Sequence, residues 1–208
     1  FSHLYILGDL FEAWIGDDDD APFVLEVMQQ IKAATQNGLE IFFIHGNRDF
    51  LCGQGFAKKS NLTILPDPFF IDYFDQKIAL SHGDDFCTND LEYVKYKGEV
   101  RSSSWQMEFL RKPLHERRKI ASNMRDASQE NNDQKDMSIM DVTPSAIHQF
   151  FNQHNITLLI HGHTHRPKTH QVDTSEATGT RVVLGDWHET GWCLMLDDCE
   201  QELKEFKL

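Results

Sequence analysis

Short apolar segments that run into a glycine and a polar residue recur in the first half of the sequence. Leu4–Leu7 leads into Gly8-Asp9, and residues 40–45 lead into Gly46-Asn47. Continuous apolar runs of this length are typical of strands buried in a parallel sheet. The pattern therefore predicts parallel strands whose last residues present polar side chains at the edge of the sheet.

Strand and helix patterns alternate along the rest of the chain, except in one central segment. One helix is predicted from Pro22 to a stop at Asn37-Gly38, with Asp20 as its cap, and another runs from Pro144 to His154. Residues 88–140 lack strand-like runs and carry helical patterns only. Further strands are predicted at residues 62–65, 69–74, 77–82, 156–160, 168–172, 181–184 and 192–196. These elements predict an α/β sandwich of residues 1–87 and 141–208, with 88–140 as a helical insert.

Charge and composition narrow the class of protein. The net charge of −13 disfavours general binding of nucleic acid, and the insert carries +1 (ten basic against nine acidic residues), which leaves −14 on the rest. No stretch approaches the roughly 18 apolar residues of a membrane span. The four cysteines are scattered without a CxxC pair, which argues against a zinc ribbon and makes a reducing cytoplasm the expected compartment.

Five metal-binding side chains stand in the turns that follow four of the predicted strands: Asp9, Asn47, His82, His163 and His165. Ligands in α/β proteins bind beyond the carboxyl ends of the strands, so we expect these turns to converge. Oxygen and imidazole ligands without a thiolate suit Mn²⁺, Fe²⁺ or Zn²⁺. A metal pair activates water for attack on a phosphate ester, and Arg48 stands where it can hold a phosphate oxygen.

Several polar residues near these turns have plain structural interpretations beside the functional ones. Asp49 and Asp84 are neighbours of ligands and are candidates to orient an imidazole, or ordinary polar residues of the turns. His161 is predicted to lie behind the ligands or in the core. The acidic run Asp17–Asp20 lacks the spacing of a calcium loop, so a solvated loop and helix cap is expected there.

The ordered motifs resemble those of the calcineurin-like metallophosphoesterase superfamily, which run D-x-H, G-D-x-x-(D/E), G-N-(H/R)-(D/E), H-G and G-H-x-H. The longer phrases resemble more specifically the branch that hydrolyses UDP-2,3-diacylglucosamine in bacterial lipid A biosynthesis. The resemblance covers essentially the whole chain and implies a sandwich of two mixed sheets flanked by helices, with a helical cap. The phrases that carry it are Leu4–Asp18, Ile44–Leu51, Ile139–Val142, Leu159–Pro167 and Val182–Gly185.

The resemblance also implies the cofactor, the reaction and the residues that perform it. Two Mn²⁺ ions are expected, with Asp9 bridging them, Asn47, His82 and His163 completing one site, and His165 joining the other. Water would attack the α-phosphorus of UDP-2,3-diacylglucosamine and release UMP and 2,3-diacylglucosamine 1-phosphate. The implied catalytic residues are Asp9, Asn47, Arg48 and His163, and the implied substrate contacts are Asn47, Arg48, Asp90, Ser128, Asn132, Lys135 and His163.

The insert is the part of the chain expected to meet the lipid. A helical cap supplies an apolar groove for two acyl chains, and Phe109, Leu110, Leu114 and Ile120 stand beside a basic run that could rest on an anionic leaflet. The alternative is a solvated helix face above ordinary core residues. With the resemblance, this implies a monomer associated peripherally with the cytoplasmic face of the inner membrane of a Gram-negative bacterium.

The superfamily's first strand and its D-x-H motif have no counterpart in the sequence. We expect that one strand–helix segment, on the order of 30 residues, precedes Phe1 in the intact enzyme and supplies two ligands to one metal. Two other functions remain open. One is a metallophosphoesterase acting on soluble nucleotides or phosphodiesters, and the other is a scaffold of the same fold that has lost catalysis.

Overall fold

Alternating strands and helices form most of the computed structural model of the chain, which describes residues 1–74, 76–134, 139–174, 178–198 and 200–208. The side chains of residues 129–134 lie outside the description. The chain divides into two compact units. The first comprises Phe1–Pro66 and Asp90–Asp136, and the second comprises Asp67–Asn89 and Met137–Leu208.

The first unit contains a parallel three-stranded sheet in the order β1-β2-β3. Its central strand β2 pairs with β1 from His3↔Glu40 to Ile6↔Phe43 and with β3 on the other side. Helix α1 begins at Pro22, whose fixed φ suits the first helical position. The elements are β1 (His3–Ile6), α1 (Pro22–Gln36), β2 (Glu40–Ile44), α2 (Gln54–Ser60) and β3 (Thr63–Leu65).

An aromatic cluster forms the core of the first unit. The rings of Trp14 and Phe56 lie 5.0 Å apart, Phe11 is 4.7 Å from Trp14, and Phe43 is 5.6 Å from Phe56. All four side chains are buried, and helix α1 adds its apolar face to them. Each such side chain contributes about 1.5–3 kcal/mol through burial, so the cluster fixes the loop of residues 8–18 against the sheet.

Three helices of the insert belong to the same unit: α3 (Leu91–Val100), α4 (Ser103–Leu110) and α5 (Leu114–Gln134). Asp90 caps α3 by accepting the Tyr93 N–H at 3.0 Å, and Ser102 caps α4 by accepting the Trp105 N–H at 3.3 Å. Phe109 is buried in the aromatic core, where Leu114 and Ile120 also pack. The helical pattern predicted for this segment is therefore confirmed in its described part, and Phe109 is buried in the core instead of exposed to a lipid.

Two arginines of α5 bind the acidic run Asp17–Asp20. Arg117 donates from Nη1 and Nη2 to the carboxylate of Asp18 at 2.8 and 2.5 Å, and it also donates to the Ile15 carbonyl. This hydrogen bonding lowers the pKa of Asp18 and raises that of Arg117. Arg118 pairs with Asp19 and Asp20. The run is thus an anchor for the insert and not only a solvated loop.

Glycine at position 16 makes room for this anchor. Gly16 has φ +131°, a conformation that residues with a side chain rarely adopt, and a Cβ there would collide with Arg117 Nη1. Asp17, its neighbour, accepts the backbone N–H groups of Gly53 and Gly55 at 2.9 and 2.8 Å. The loop therefore binds the start of α2 on one side and the start of α5 on the other.

The second unit contains a mixed five-stranded sheet in the order β4-β5-β6-β8-β7 and an antiparallel pair β9-β10. The adjacent strands β5 and β6 run parallel, from Ile78↔Leu158 to Ser81↔His161. Helix α6 buries Ile147 and Phe151 in an apolar cluster with Ala79 and Leu159. The elements are β4 (Phe69–Tyr73), β5 (Gln76–Ser81), α6 (Pro144–His154), β6 (Leu158–His161), β7 (Lys168–Asp173), β8 (Thr178–Val183), β9 (Thr190–Leu196) and β10 (Gln201–Lys207).

The structure confirms the predicted α/β class and corrects two details. The residue that caps α1 is Ala21, which has no side-chain acceptor, so the prediction of Asp20 as the cap is wrong. Strand β10 was not predicted, because its alternation of charged and apolar residues is weak. None of the helices that the structure describes is both long enough and apolar enough to span a membrane.

The anchor predicts a contrast between two adjacent arginines. Arg117→Met should lower the free energy of unfolding by about 2–3 kcal/mol, because a charged donor to the carbonyls of Ile15 and Lys112 is lost. Arg118→Met should have a smaller effect, because the side chains of Arg118 and Asp20 are exposed, and the buried Asp19 keeps the hydrogen bond that it accepts from the Ala21 N–H. Urea unfolding of both variants measures the difference. Equal losses would show that Arg117 does not anchor the insert.

Candidate metal centre

The turns that carry Asp9 and Asn47 lie side by side in the first unit. Strands β1 and β2 are parallel neighbours, so the turns that follow them, Gly8-Asp9 and Gly46-Asn47, leave the sheet at the same edge. The Arg48 N–H donates to Asp9 Oδ1 at 2.9 Å, which joins the two turns directly. The sequence expectation that strand ends bring these residues together is met within this unit.

Asp49 holds the two turns in register. Its side chain is fully buried, and its two carboxylate oxygens accept the backbone N–H of Leu10 at 2.7 Å and of Gly46 at 2.8 Å. Hydrogen bonds from backbone N–H groups to a carboxylate are roughly twice as strong as those between neutral groups. Asp49 therefore acts on the backbone beside Asp9 and beside Asn47, a role that the neighbourhood of the motif alone did not reveal.

The close approach of the turns requires glycine at position 46. A Cβ on Gly46 would collide with the backbone nitrogen and the carboxylate of Asp9. Asp9 itself has φ +54°, in the left-handed region that non-glycine residues adopt rarely and mostly at constrained sites. The carboxylate of Asp9 is thus aimed by a constrained backbone that only a glycine neighbour accommodates.

Arg48 lies among carboxylates. Its Nε is 3.7 Å from Asp9 Oδ2, and its Nη1 pairs with Glu12 Oε2.

From the insert, Arg101 donates to the carbonyl of Gly46 at 3.1 Å, and its guanidinium lies 5.7 Å from the centre of the Phe50 ring. The end of α3 is therefore attached to the turn that carries Asn47 and Arg48.

In the second unit, His82 and His163 face each other from parallel neighbours. His82 follows β5 and His163 follows β6, and His163 Nδ1 lies 3.2 Å from His82 Nε2. Two ring nitrogens bound to one ion at roughly 2.1 Å each and at a right angle would lie roughly 3.0 Å apart. The two imidazoles therefore fit a shared divalent ion.

The backbone around His82 is fixed by two hydrogen bonds. Its N–H donates to Asp67 Oδ2 at 3.0 Å, and its carbonyl accepts the N–H of Gly162 at 3.0 Å. Burial raises the pKa of Asp67, although bonds from Ser81 and His82 oppose this effect. Asp67 was not singled out from the sequence, because it stands in a loop 15 residues before the histidine that it positions.

The Gly162–His165 turn presents its two histidines through constrained backbone. His163 and His165 have φ values of +64° and +53°, so two of the predicted ligands share the left-handed conformation seen at Asp9. His165 Nδ1 lies 3.8 Å from Asp186 Oδ2, and both side chains are partly exposed. His165 thus has a carboxylate neighbour that the motifs did not indicate.

His161, just before this turn, is a core residue with a defined tautomer. It is fully buried, and burial together with the charge of Arg181 lowers its pKa to about 3. Because the Gly162 carbonyl can only accept, His161 Nδ1 donates to it at 3.0 Å, and Nε2 is left to accept from Arg181 Nη1 at 3.2 Å. The interpretation of His161 as a residue behind the ligands agrees with this environment.

The residues expected to contact substrate are spread over the insert. Asp90 is buried at the start of α3, and Ser128 is exposed on α5. Asn132 lies on helix α5, where the structure describes the backbone and not the side chain of this residue. Lys135 lies outside the residues that the structure describes. Their role as substrate contacts stays a prediction.

Comparison with known proteins gives the family. Residues 2–167 match the model of the calcineurin-like phosphoesterases, a range that contains all five predicted ligands. The chain belongs to this family. That assignment makes the chain a hydrolase and implies that it uses divalent metal ions, and it confirms the predicted metallophosphoesterase fold.

Several curated proteins are similar to nearly the whole chain. A UDP-2,3-diacylglucosamine hydrolase of Aeromonas hydrophila is 47% identical over 99% of this chain and 85% of the relative. Proteins of the same name from Cellvibrio japonicus and Aeromonas salmonicida are 46% and 48% identical, over 92% and 97% of this chain and 80% of each relative. Among solved structures, an archaeal phosphodiesterase is 14% identical with a TM-score of 0.45, over 88% of this chain and 76% of its own.

The close contact between the two turns of the first unit yields a test. Gly46→Ala should weaken the binding of a divalent metal ion by about tenfold or more, as loss of groups that orient ligands commonly does, because Asp9 must move. Gly98→Ala is the matched control, because a Cβ there meets nothing within 4 Å. Alanine in the interior of helix α3 is more stable than glycine by roughly 0.5–1 kcal/mol, so this variant should stay folded. Calorimetric titration with Mn²⁺ compares them. Unchanged affinity in Gly46→Ala would contradict this geometry.

Proposed function

We propose that the chain hydrolyses the pyrophosphate bond of UDP-2,3-diacylglucosamine in bacterial lipid A biosynthesis. Water attacks the α-phosphorus, the bond to the bridging oxygen breaks, and UMP and 2,3-diacylglucosamine 1-phosphate are released. The observation that carries the proposal is the 47% identity, over 99% of this chain, to a hydrolase named for that substrate. The order of the ligand-bearing turns in the sequence agrees with it.

In this proposal the metal ligands are those of the motifs: Asp9, Asn47, His82, His163 and His165. Support comes from the adjacent turns of Asp9 and Asn47 in the first unit, and from the facing nitrogens of His82 and His163 in the second. When bound, divalent ions lower the pKa of a water and offset charge on the attacking and leaving oxygens. We propose Mn²⁺ as the ion and two ions as the number, following the resemblance; oxygen and imidazole ligands suit this metal.

Arg48 is proposed to hold a phosphate oxygen of the substrate. Its guanidinium is partly exposed, and Asp9 and Glu12 orient it without burying it. The planar fork of arginine matches phosphate geometry and keeps its charge at every relevant pH. Asn47 and His163 are proposed to contact the same phosphate, and Asp90, Ser128, Asn132 and Lys135 to contact the rest of the substrate.

The acyl chains are proposed to lie on the insert. Five large apolar side chains on α3 and α4 are each more than 40% exposed, which is unusual for so short a stretch. Because Arg117 and Arg118 are engaged with Asp18–Asp20, these apolar residues support contact with lipid better than the basic run does. The five are Leu91, Val94, Tyr96, Met107 and Leu110.

Such a surface also supports the proposed location. The chain is proposed to act as a monomer, associated peripherally with the cytoplasmic face of the inner membrane, where a diacylated nucleotide sugar is presented. Exposed apolar side chains flanked by lysines bind a bilayer interface without crossing it. Lys95 and Lys97 on α3 have this position beside Val94 and Tyr96.

The decisive assay is UMP release from UDP-2,3-diacylglucosamine with added Mn²⁺. Asp9→Ala should lower kcat by about 100-fold or more, the size of effect seen when a group that stabilises developing charge is removed. Asp72→Ala is the matched control, since Asp72 is an exposed carboxylate on β4. A comparable loss in both variants would contradict the assignment of Asp9.

The same assay separates the other functions. Equal turnover of UDP-N-acetylglucosamine and the diacylated substrate would indicate a soluble nucleotide hydrolase with no use for the exposed apolar residues. Absence of Mn²⁺-dependent release from any nucleotide substrate would indicate a scaffold without catalysis. Release that is specific for the diacylated substrate and dependent on Mn²⁺ would establish the proposed function.

A further inference from the structure

Four of the eight residues that line a cavity of about 260 Å³ in the second unit are basic. Arg166, Lys168, His170 and Arg181 contribute to its wall, and Asp141 is the acidic residue among its lining. The volume is several times the roughly 30 Å³ that a water occupies in the liquid. The cavity therefore has room for a polyatomic ligand, and its wall is dominated by positive charge.

Among the residues that the structure describes, the one carboxylate in the lining is already engaged. Asp141 Oδ2 accepts from Arg166 Nη1 at 2.6 Å, and Oδ1 accepts the N–H of Val142 at 2.7 Å. The negative charge of Asp141 offsets the positive charge of Arg166. Lys168 and Arg181 then give the lining a net charge of about +2 when His170 is neutral. An excess of one sign in a concave, partly desolvated wall concentrates ligands of the opposite sign.

Arg181 is the residue that makes this a built site. It is buried, with 9% of its surface exposed, and within the described part of the chain its guanidinium donates one hydrogen bond, to His161. Burial lowers the pKa of Arg181. Burial also lowers the pKa of His170, and the positive charges of Arg181 and Lys168 lower it further. A buried cation with donors to spare is costly unless an anion or water satisfies it.

We propose that this cavity is an anion site that binds a small tetrahedral oxyanion, such as inorganic phosphate, through Arg181 and Lys168. Guanidinium and ammonium donors at a concave wall are the groups that recognise phosphate oxygens in proteins. The site is formed by β7, β8, Asp141 and the segment from Thr164 to Pro167, and its lining does not include the predicted ligands His163 and His165. Its occupant would stabilise the segment that leads away from the Gly162–His165 turn.

Calorimetric titration with inorganic phosphate tests the proposal, at constant ionic strength set with NaCl. The full chain is titrated both with Mn²⁺ and after treatment with EDTA, because phosphate held by metal ions disappears with the metal. We expect one phosphate to bind in both conditions. Lys168→Glu, on the exposed start of β7, should weaken the binding that resists EDTA by about tenfold or more.

Lys207→Glu is the matched control, because it makes the same change of charge on β10, outside the cavity lining. It should leave the affinity for phosphate unchanged, and circular dichroism checks that both variants are folded. Binding that is lost with EDTA, binding that Lys168→Glu leaves intact, or an equal loss in both variants would each overturn the proposal. If chloride from the NaCl occupies the cavity, no phosphate binding will be detected, and that result would overturn the proposal as well.

Discussion

The buried carboxylate of Asp49 is the interaction on which the candidate centre of the first unit depends. Its two oxygens accept backbone N–H groups from Leu10 and Gly46, so the turn after β1 and the turn after β2 are held at one distance. That spacing allows the Arg48 N–H to bind Asp9 Oδ1 and leaves no volume for a side chain at position 46. Ligand positions are therefore fixed by the backbone before any ion binds, which is how a protein limits the cost of ordering its ligands.

Charge pairing across the first unit connects the insert to the same scaffold. Arg117 reaches the loop that also carries Trp14 and caps α2 through Asp17, and Arg101 reaches the Gly46 turn. Helices α3 to α5 are therefore attached near the predicted ligands at more than one point, and the apolar residues that α3 and α4 expose are presented from a fixed base. The basic character of the insert, taken alone, suggested attraction to an anionic surface. The structure shows that its two central arginines are already neutralised by the acidic run.

The features that could be predicted from the sequence are the local ones. Apolar runs that end in glycine turns predicted the strands and the ligand residues, because in each turn the residues that matter are neighbours in the sequence. Contacts between distant segments could not be predicted from the sequence. Asp18 and Arg117 are 99 residues apart, and neither segment carries a signal that identifies the other as its partner. Glu12 beside Arg48 and Asp186 near His165 were missed for the same reason, since a single carboxylate outside a motif carries no signal. The cap of α1 was misassigned because several acidic residues compete for the position, and the chain uses them to bind arginines instead.

Anomalous diffraction at the manganese edge, from crystals grown with Mn²⁺, tests the central claim most directly. The account predicts anomalous peaks within bonding distance of the proposed ligands of each unit, Asp9 and Asn47 in the first and His82 and His163 in the second. Peaks that involve other side chains, or the absence of any peak at these residues in protein that binds Mn²⁺ in solution, would contradict the assignment of the metal centre.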